Sequence, residues 1–234
     1  MSSYIVKKTS GNTDWFRRDR FGMFIHFGLY SLPSRGEWVK THENMTDEYY
    51  DRYFTYFDPD MFDAREWARR AKNAGMKYAV LTTKHHDGFC LFDTKYTDYK
   101  ITNTAFGRDL VREYADAFRA EGLRVGLYYS LIDWHYPYAS PMSPHNADFI
   151  TEAHHAFSKA QLKELLTNYG KISELWFDMG ANTPAQSKEL YELVHHYQPD
   201  CMVSGRLGND RYDFCVMADN DYPDKTLHAP WQSA

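Results

Sequence analysis

The sequence predicts an α/β fold of the (β/α)8 TIM-barrel type, on two observations. A plan of amphipathic helix, glycine, short turn and apolar strand repeats along the chain, and polar residues collect at the carboxyl end of each strand in turn. An open doubly wound sheet gathers ligand groups mainly at its one switch point, whereas a barrel gathers them from every strand onto one face. Here six successive strand ends carry such groups, which favours the barrel.

The first strand is expected in "RFGMFIHFGLYS", an almost continuous apolar run of the kind shown by parallel strands covered on both faces. It ends near His26. In "FDAREWARRAKNAGMKYAVLTTKHH", Trp67, Ala68, Ala71 and Ala74 recur at helical spacing, Gly75 stops the helix, and Tyr78, Val80 and Leu81 open a strand that ends at His85 and His86. The same plan returns in "DLVREYADAFRAEGLRVGLYYSLIDW", with a Val111, Tyr114, Ala115, Phe118 stripe, a stop at Gly122, and Tyr128 and Asp133 at or beyond the strand end. It returns again in "KAQLKELLTNYGKISELWFDMG", through Leu162, Leu165, Leu166 and Gly170 to Asp178. The three glycines lie 47 and 48 residues apart. In a fourth unit, "AQSKELYELVHHYQPDCMVSGR", Pro199 ends the helix and Arg206 follows the strand, and "YDFCVMAD" supplies a further strand ending at Asp219. Residues 136–149, with three prolines and no periodicity, are expected to form a long loop on the site face.

Composition bounds the function. At 234 residues the chain is expected to be one domain, residues 1–234, with 43% hydrophobic and 25% charged residues. A net charge of -5 argues against nucleic acid or an anionic membrane as partner. Aromatic residues make up 17%, with 19 Tyr and 6 Trp, and flat amphipathic rings suit surfaces that hold sugars. Cys90, Cys201 and Cys215 are odd in number and share no CxxC spacing, which argues against a disulfide framework or a structural zinc site. With no apolar signal segment and no stretch of about 20 apolar residues, the expectation is a soluble, cytoplasmic protein.

The residue types at the strand ends suggest two chemistries. Asp178, flanked by Trp176 and Phe177, can be a helix cap or turn residue, or a partly desolvated carboxylate able to attack a sugar carbon. His85 and His86 invite a metal, together with His26 and Asp178. Adjacent side chains on a regular strand point to opposite faces, however, so both reach one site only where the strand ends or bulges. Neutral imidazoles bonded to hydroxyl groups explain the pair equally well. Trp38 and Trp176, beside Glu37 and Asp178, can form the apolar wall against which a sugar packs. Arg206 can orient a nucleophilic carboxylate.

Taken together, "WFRRDRFGMFIHFGLYS", "GEW", "LTTKHHDGFCLFDTKYTDY", "GRDLV", "GLYYSLIDW", "LWFDMG" and "SGRLGND" resemble the α-L-fucosidases of glycoside hydrolase family 29, in order and from Trp15 to the end of the chain. The resemblance implies a (β/α) barrel that removes terminal α-L-fucose from glycans or glycosides with retention of configuration, using no metal or other cofactor. Carried over by position, the nucleophile is Asp178, and the sugar-binding groups are His26, Glu37, Trp38, His85, His86, Tyr128, Trp176 and Arg206, with Tyr128 preferred over Tyr129. Members of the family draw the acid/base from one of two regions. In the later one this chain has "PWQSA", with Gln232 in place of a glutamate, so the acid/base is expected in "YDFCVMADNDYPD", at Asp219 first and Asp221 second. Retaining enzymes hold their two carboxyls roughly 5–5.5 Å apart, one ionised and one protonated. The chain ends after a count of about six strands where a closed barrel takes about 250 residues, which implies a barrel incomplete at the C-terminus. The alternatives are a fucose-binding fragment impaired in turnover and, further off, a metal-dependent barrel hydrolase; a homo-oligomeric state is left open.

Overall fold

The computed structural model describes residues 9–137 and 149–233. Most of the expected loop at 136–149 therefore lies outside the described residues.

The helices begin where short polar side chains accept orphaned backbone N–H groups. Asn12, Thr46, Asp63, Asp109, Thr151 and Thr183 cap α1 (Thr13–Asp19), α3 (Asp47–Tyr56), α4 (Ala64–Asn73), α5 (Leu110–Ala120), α6 (Glu152–Asn168) and α7 (Pro184–Tyr197). Each such cap is typically worth about 1 kcal/mol. The short α2 (Val39–His42) has no side-chain cap. Gly75, Gly122 and Gly170 follow α4, α5 and α6 with φ of 89°, 78° and 73°, a left-handed turn that glycine adopts without steric penalty and that redirects the chain into the next strand.

Five parallel strands form one sheet in chain order: β1 (Gly22–Ile25), β2 (Tyr78–Lys84), β3 (Arg124–Ser130), β4 (Glu174–Asp178) and β5 (Met202–Val203). A second pair, β6 (Cys215–Val216) and β7 (Trp231–Gln232), is also parallel, and a single bridge from Ser204 to Phe214 joins it to the end of β5. The α/β class and the parallel order thus agree with expectation.

Three details correct the expectations from sequence. The first strand covers four residues of the long apolar run and is only partly buried, because it is paired on one side alone. The "YDFCVMAD" strand shrinks to Cys215–Val216 and pairs with β7, a strand the apolar periodicity did not reveal because it is two residues long. Ala74, expected on the buried stripe of α4, is an exposed C-cap.

Side-chain alternation gives the sheet two different faces. Ala79, Leu81, Val125, Leu127, Tyr129, Leu175, Phe177 and Val203 pack against Ala68, Val111, Tyr114, Leu162, Leu165, Leu190 and Val194 of the helices in the large core. Their neighbours Tyr78, Val80, Tyr128, Trp176 and Met202 face the other way and close on Trp15, Phe16 and Phe214, with Phe24 and Val216 at the edge. Residues from β2, β4 and β7 meet on that inner side, where Gln232 bonds both Trp176 and Tyr78. Among the described residues no helix is long and apolar enough to cross a membrane.

Candidate functional site

The carboxyl ends of the strands open into a cavity of about 690 Å³, within the range of small-molecule sites. It is lined by His26, Glu37, Trp38, His85, His86, Tyr128, Trp176, Asp178, Arg206 and Asp219, so every expected site residue except Asp221 reaches it. Phe24, Met179, Val216, Met217, Ala218 and Asn220 complete the lining. Five of these carry no chemical signal in the sequence because their side chains are apolar; Asn220 is polar and stands between the two candidate acids, Asp219 and Asp221. The signal that could have found them is position: Met179 follows Asp178, Phe24 lies two before His26, and Ala218 and Asn220 flank Asp219.

The stretch "KHHDG" divides its labour. The β2–β3 ladder slips one residue between Thr82 and Lys84, so that Lys84 pairs with Tyr129 where regular alternation would place it inward. Lys84 therefore lies on the helix side, fully buried, with its ammonium 4.4 Å from the Tyr129 ring centroid and 3.1 Å from Asp133 Oδ2. The strand then ends, which frees both histidines from strict alternation, and their rings lie 3.9 Å apart in the cavity wall. Asp87 turns away to accept from the Tyr50 hydroxyl at 2.8 Å. Gly88 follows with φ of 82°, where a side chain would collide with Asp133. Lys84, Asp87 and Asp133 are thus ties within the protein and do not line the cavity.

At the cavity base Asp178 is 7% exposed. Its Oδ2 accepts from the Tyr128 hydroxyl at 2.7 Å and its Oδ1 from Arg206 Nη1 at 2.8 Å, with His86 Nε2 at 3.8 Å from Oδ2. The register makes this inevitable: Tyr128 pairs with Trp176 and Ser130 with Asp178, so the phenol projects along the inner face to the next inward residue of β4. Tyr129, on the opposite face, donates to Gln161 Oε1 at 2.8 Å, which separates the two candidate tyrosines. Directly after Asp178, Met179 takes φ of 59°, a left-handed backbone that costs a side chain strain and turns the chain sharply off the strand.

Arg206 sits in a single helical turn, Gly205–Leu207, after β5. Its guanidinium carbon lies 4.8 Å from the Trp176 ring centroid, and its second nitrogen bonds Asp219. One planar cation therefore joins Asp178 on β4, Trp176 on β4 and Asp219 on the segment after β6. Burial opposes its charge, but the two carboxylates outweigh that and raise its pKa above the ordinary value. Asp219 itself stands on the rim, its side chain 74% exposed. Asp221 is exposed outside the cavity, its side chain capping the neighbouring Tyr222 N–H at 2.9 Å.

The histidines are held neutral. Burial drives His85 well below the usual imidazole value, with His86 and His26 adding like-charge repulsion, and drives His86 down to about 4 against the opposing pull of Asp178. His86 Nδ1 shares a 2.7 Å hydrogen bond with Ser130 Oγ, which leaves Nε2 toward the cavity. Burial, with Asp178 second, holds the Tyr128 phenol well above its ordinary pKa, so it remains a donor. Trp38 packs 4.9 Å from His86 and 5.4 Å from Trp134, forming an aromatic side to the cavity. Among the described residues no three His, Cys, Asp or Glu side chains converge as a metal-ligand set. The arrangement offers one gripped carboxylate, one rim carboxylate, neutral imidazole and phenol hydrogen-bonding groups, and indole walls: a surface for a polyhydroxylated ring.

A family model described as Alpha-L-fucosidase matches residues 4–234. The chain is 34% identical over 218 residues to plasma α-L-fucosidase of Homo sapiens, covering 85% of this chain and 40% of that protein. It is 31% identical over 196 residues to α-L-fucosidase 1 of Arabidopsis thaliana, covering 80% and 35%. Among solved structures, α-L-fucosidase isoenzyme 1 from Paenibacillus thiaminolyticus superposes with a TM-score of 0.85 at 43% identity, over 94% of this chain and 59% of that one. α-L-Fucosidase AlfC from Lactobacillus casei, in complex with α-L-fucose product, superposes with a TM-score of 0.83 at 35% identity, over 95% and 78%. The chain spans about two-fifths of the length of these curated relatives.

Proposed function

The chain belongs to the α-L-fucosidase family, and on that footing we propose that its cavity binds a terminal α-L-fucosyl residue and hydrolyses it by double displacement with retention of configuration. The observation that carries this reading is the grip on Asp178. Two donors, one on β3 and one in the helical turn after β5, each hold one of its oxygens at the base of an aromatic-walled cavity, and the same arginine reaches Asp219.

In the first step Asp219, exposed at the rim, leaves Arg206 and takes a proton from solvent; Asp178 then attacks the anomeric carbon, the glycosidic C–O bond breaks, and Asp219 gives that proton to the departing oxygen. Tyr128 and Arg206, one on each oxygen, fix the attacking carboxylate and disperse its resting charge. The leaving group enters between Asp178 and the rim, so the exposed Arg206–Asp219 bond is exchanged for one from Asp219 to the glycosidic oxygen. In the second step water attacks the fucosyl ester, its proton passes to Asp219, and the C–O bond to Asp178 breaks. His26, His85, His86 and Glu37 take the sugar hydroxyls, while Trp38 and Trp176 cover its apolar face. The five-stranded sheet with β6 and β7 is, on this reading, the larger part of a (β/α) barrel.

The test is hydrolysis of an aryl α-L-fucoside by the 234-residue chain, with Asp178→Asn and a chelator in parallel and the first-formed anomer read by proton NMR. Chelator-insensitive release of the α anomer, lost in Asp178→Asn, is the expected result. Release of the β anomer would overturn the retaining mechanism. Fucose binding without turnover in the unaltered chain would reduce the proposal to sugar recognition.

A further inference from the structure

Beneath the sugar cavity lies a second polar layer that the proposed reaction does not use. Gln232 of β7 is 9% exposed. Its Oε1 accepts from the Trp176 indole N–H at 2.7 Å, and its Nε2 donates to the Tyr78 hydroxyl at 3.2 Å. One amide thereby ties β4 to β2 across the inner side of the sheet, from a two-residue strand outside the five-stranded ladder. Glu174 lies in the same layer, two residues before Trp176 on the same face of β4, fully buried with the Gln232 amide beside it.

We infer that Gln232 is a positioning residue that sets the tilt of Trp176 and, through it, of Arg206. This rests on the sugar-binding reading of the cavity. Trp176 is held on its other sides by contacts without direction: Tyr128 at 5.8 Å between centroids, Phe24 at 5.3 Å edge-on, and the Arg206 guanidinium over its ring. The bond to Gln232 is the one directional constraint on the indole among these, and it decides where the ring plane presents itself to a sugar and to Arg206.

The residue type matters as much as the position. An amide accepts from the indole with its oxygen while donating to the phenol with its nitrogen. An ionised carboxylate can only accept, and it would add a second acidic group to a buried layer that already holds Glu174. A glutamine, where a glutamate would otherwise be expected to serve as acid/base, therefore anchors the cavity wall from below and takes no part in proton transfer.

The experiment compares Gln232→Met, which keeps the bulk but removes acceptor and donor, with Gln232→Glu, which keeps the acceptor. α-L-Fucose affinity is measured by calorimetry, and the indole 1H–15N resonances by NMR, with the Trp176 signal among the six assigned by its absence in Trp176→Phe. In Gln232→Met, fucose Kd rises at least fivefold, and the Trp176 signal moves and exchanges faster with solvent while those of Trp38, Trp67 and Trp134, which touch neither Gln232 nor Tyr78, stay in place. Gln232→Glu restores the Trp176 signal and brings Kd to within twofold of the parent, although its Tm falls. A role confined to folding would lower Tm in both variants and leave Kd unmoved, and that result overturns the inference. So does an unmoved Trp176 signal in Gln232→Met. If the parent chain binds no fucose, the sugar-site reading fails by itself, and the indole signal still decides whether Gln232 holds Trp176.

Discussion

The Tyr128 hydroxyl donates to Asp178 at 2.7 Å from one inward position of β3 to the next inward position of β4. Because burial keeps the phenol protonated, this is a charge-assisted bond from a neutral donor, typically worth about 1.5–3 kcal/mol. Tyr128→Phe is expected to leave the fold intact and lower kcat/KM for an aryl α-L-fucoside by roughly 10- to 100-fold, at about 1.4 kcal/mol per decade. Tyr129→Phe, on the helix side, should leave the constant within a few-fold. Equal losses in the two variants would remove Tyr128 from the site.

Asp219 and Asp221 differ by two residues and by their surroundings. Only Asp219 bonds Arg206 and lines the cavity. Asp219→Ala should slow hydrolysis of natural glycosides far more than of aryl fucosides, whose leaving groups need little protonation. Azide, which needs no general base, should restore activity by attacking the fucosyl ester from the face the leaving group vacated, and NMR should identify the product as α-fucosyl azide. The same pattern in Asp221→Ala would transfer the acid/base role to that residue.

Lys84 and Asp133 form an ion pair that is 0% and 3% exposed in its two side chains. Burial opposes both charges, and each partner sustains the other: Asp133 raises the Lys84 pKa and Lys84 lowers that of Asp133. Asp133 Oδ1 also accepts from the His135 and Tyr136 N–H groups, fixing the turn that carries Trp134 to the cavity side. Lys84→Met strands a buried carboxylate and is expected to cost about 3–5 kcal/mol in urea unfolding, whereas the Lys84→Met, Asp133→Asn double variant should recover part of that loss. Full additivity of the two single changes would show that the charges are not coupled.

Glu174 sets an alkaline limit. Burial pushes its carboxyl up to about 8, with the nearby Gln232 amide pulling the other way. The folded protein therefore binds a proton that the unfolded chain releases near pH 4.5, and stability falls as pH rises from there until it levels off above about 8. Glu174→Gln should be less pH-dependent than the parent over that window, gaining relative stability with each pH unit up to a few kcal/mol. Urea midpoints at pH 5, 7 and 9 measure this, and a constant offset between the two proteins would refute it.

Much of the frame was legible in the chain. The stops at Gly75, Gly122 and Gly170 and the stripes they close are local, since helix periodicity and a left-handed turn need no distant partner. The cavity residues were legible for a related reason. In a parallel sheet every strand runs the same way, so polar residues at successive strand ends must gather on one side, and His85, His86, Asp178 and Arg206 do.

Other features depended on contacts far apart in sequence. The slip between Thr82 and Lys84, which sends Lys84 outward and lets both histidines face the cavity, arises from pairing with β3. The choice of Tyr128 over Tyr129 likewise needed the β3–β4 register, and that of Asp219 over Asp221 needed the reach of Arg206. β7 is two residues long, so no periodicity marks it, and Gln232 gained its partners only when residues 78, 176 and 232 were brought together. Residue types along the chain determined which chemistry was present and on which side of the sheet. Register and long-range hydrogen bonding, which follow from packing over separations of 50 to 154 residues, decided which of two neighbouring side chains would carry it.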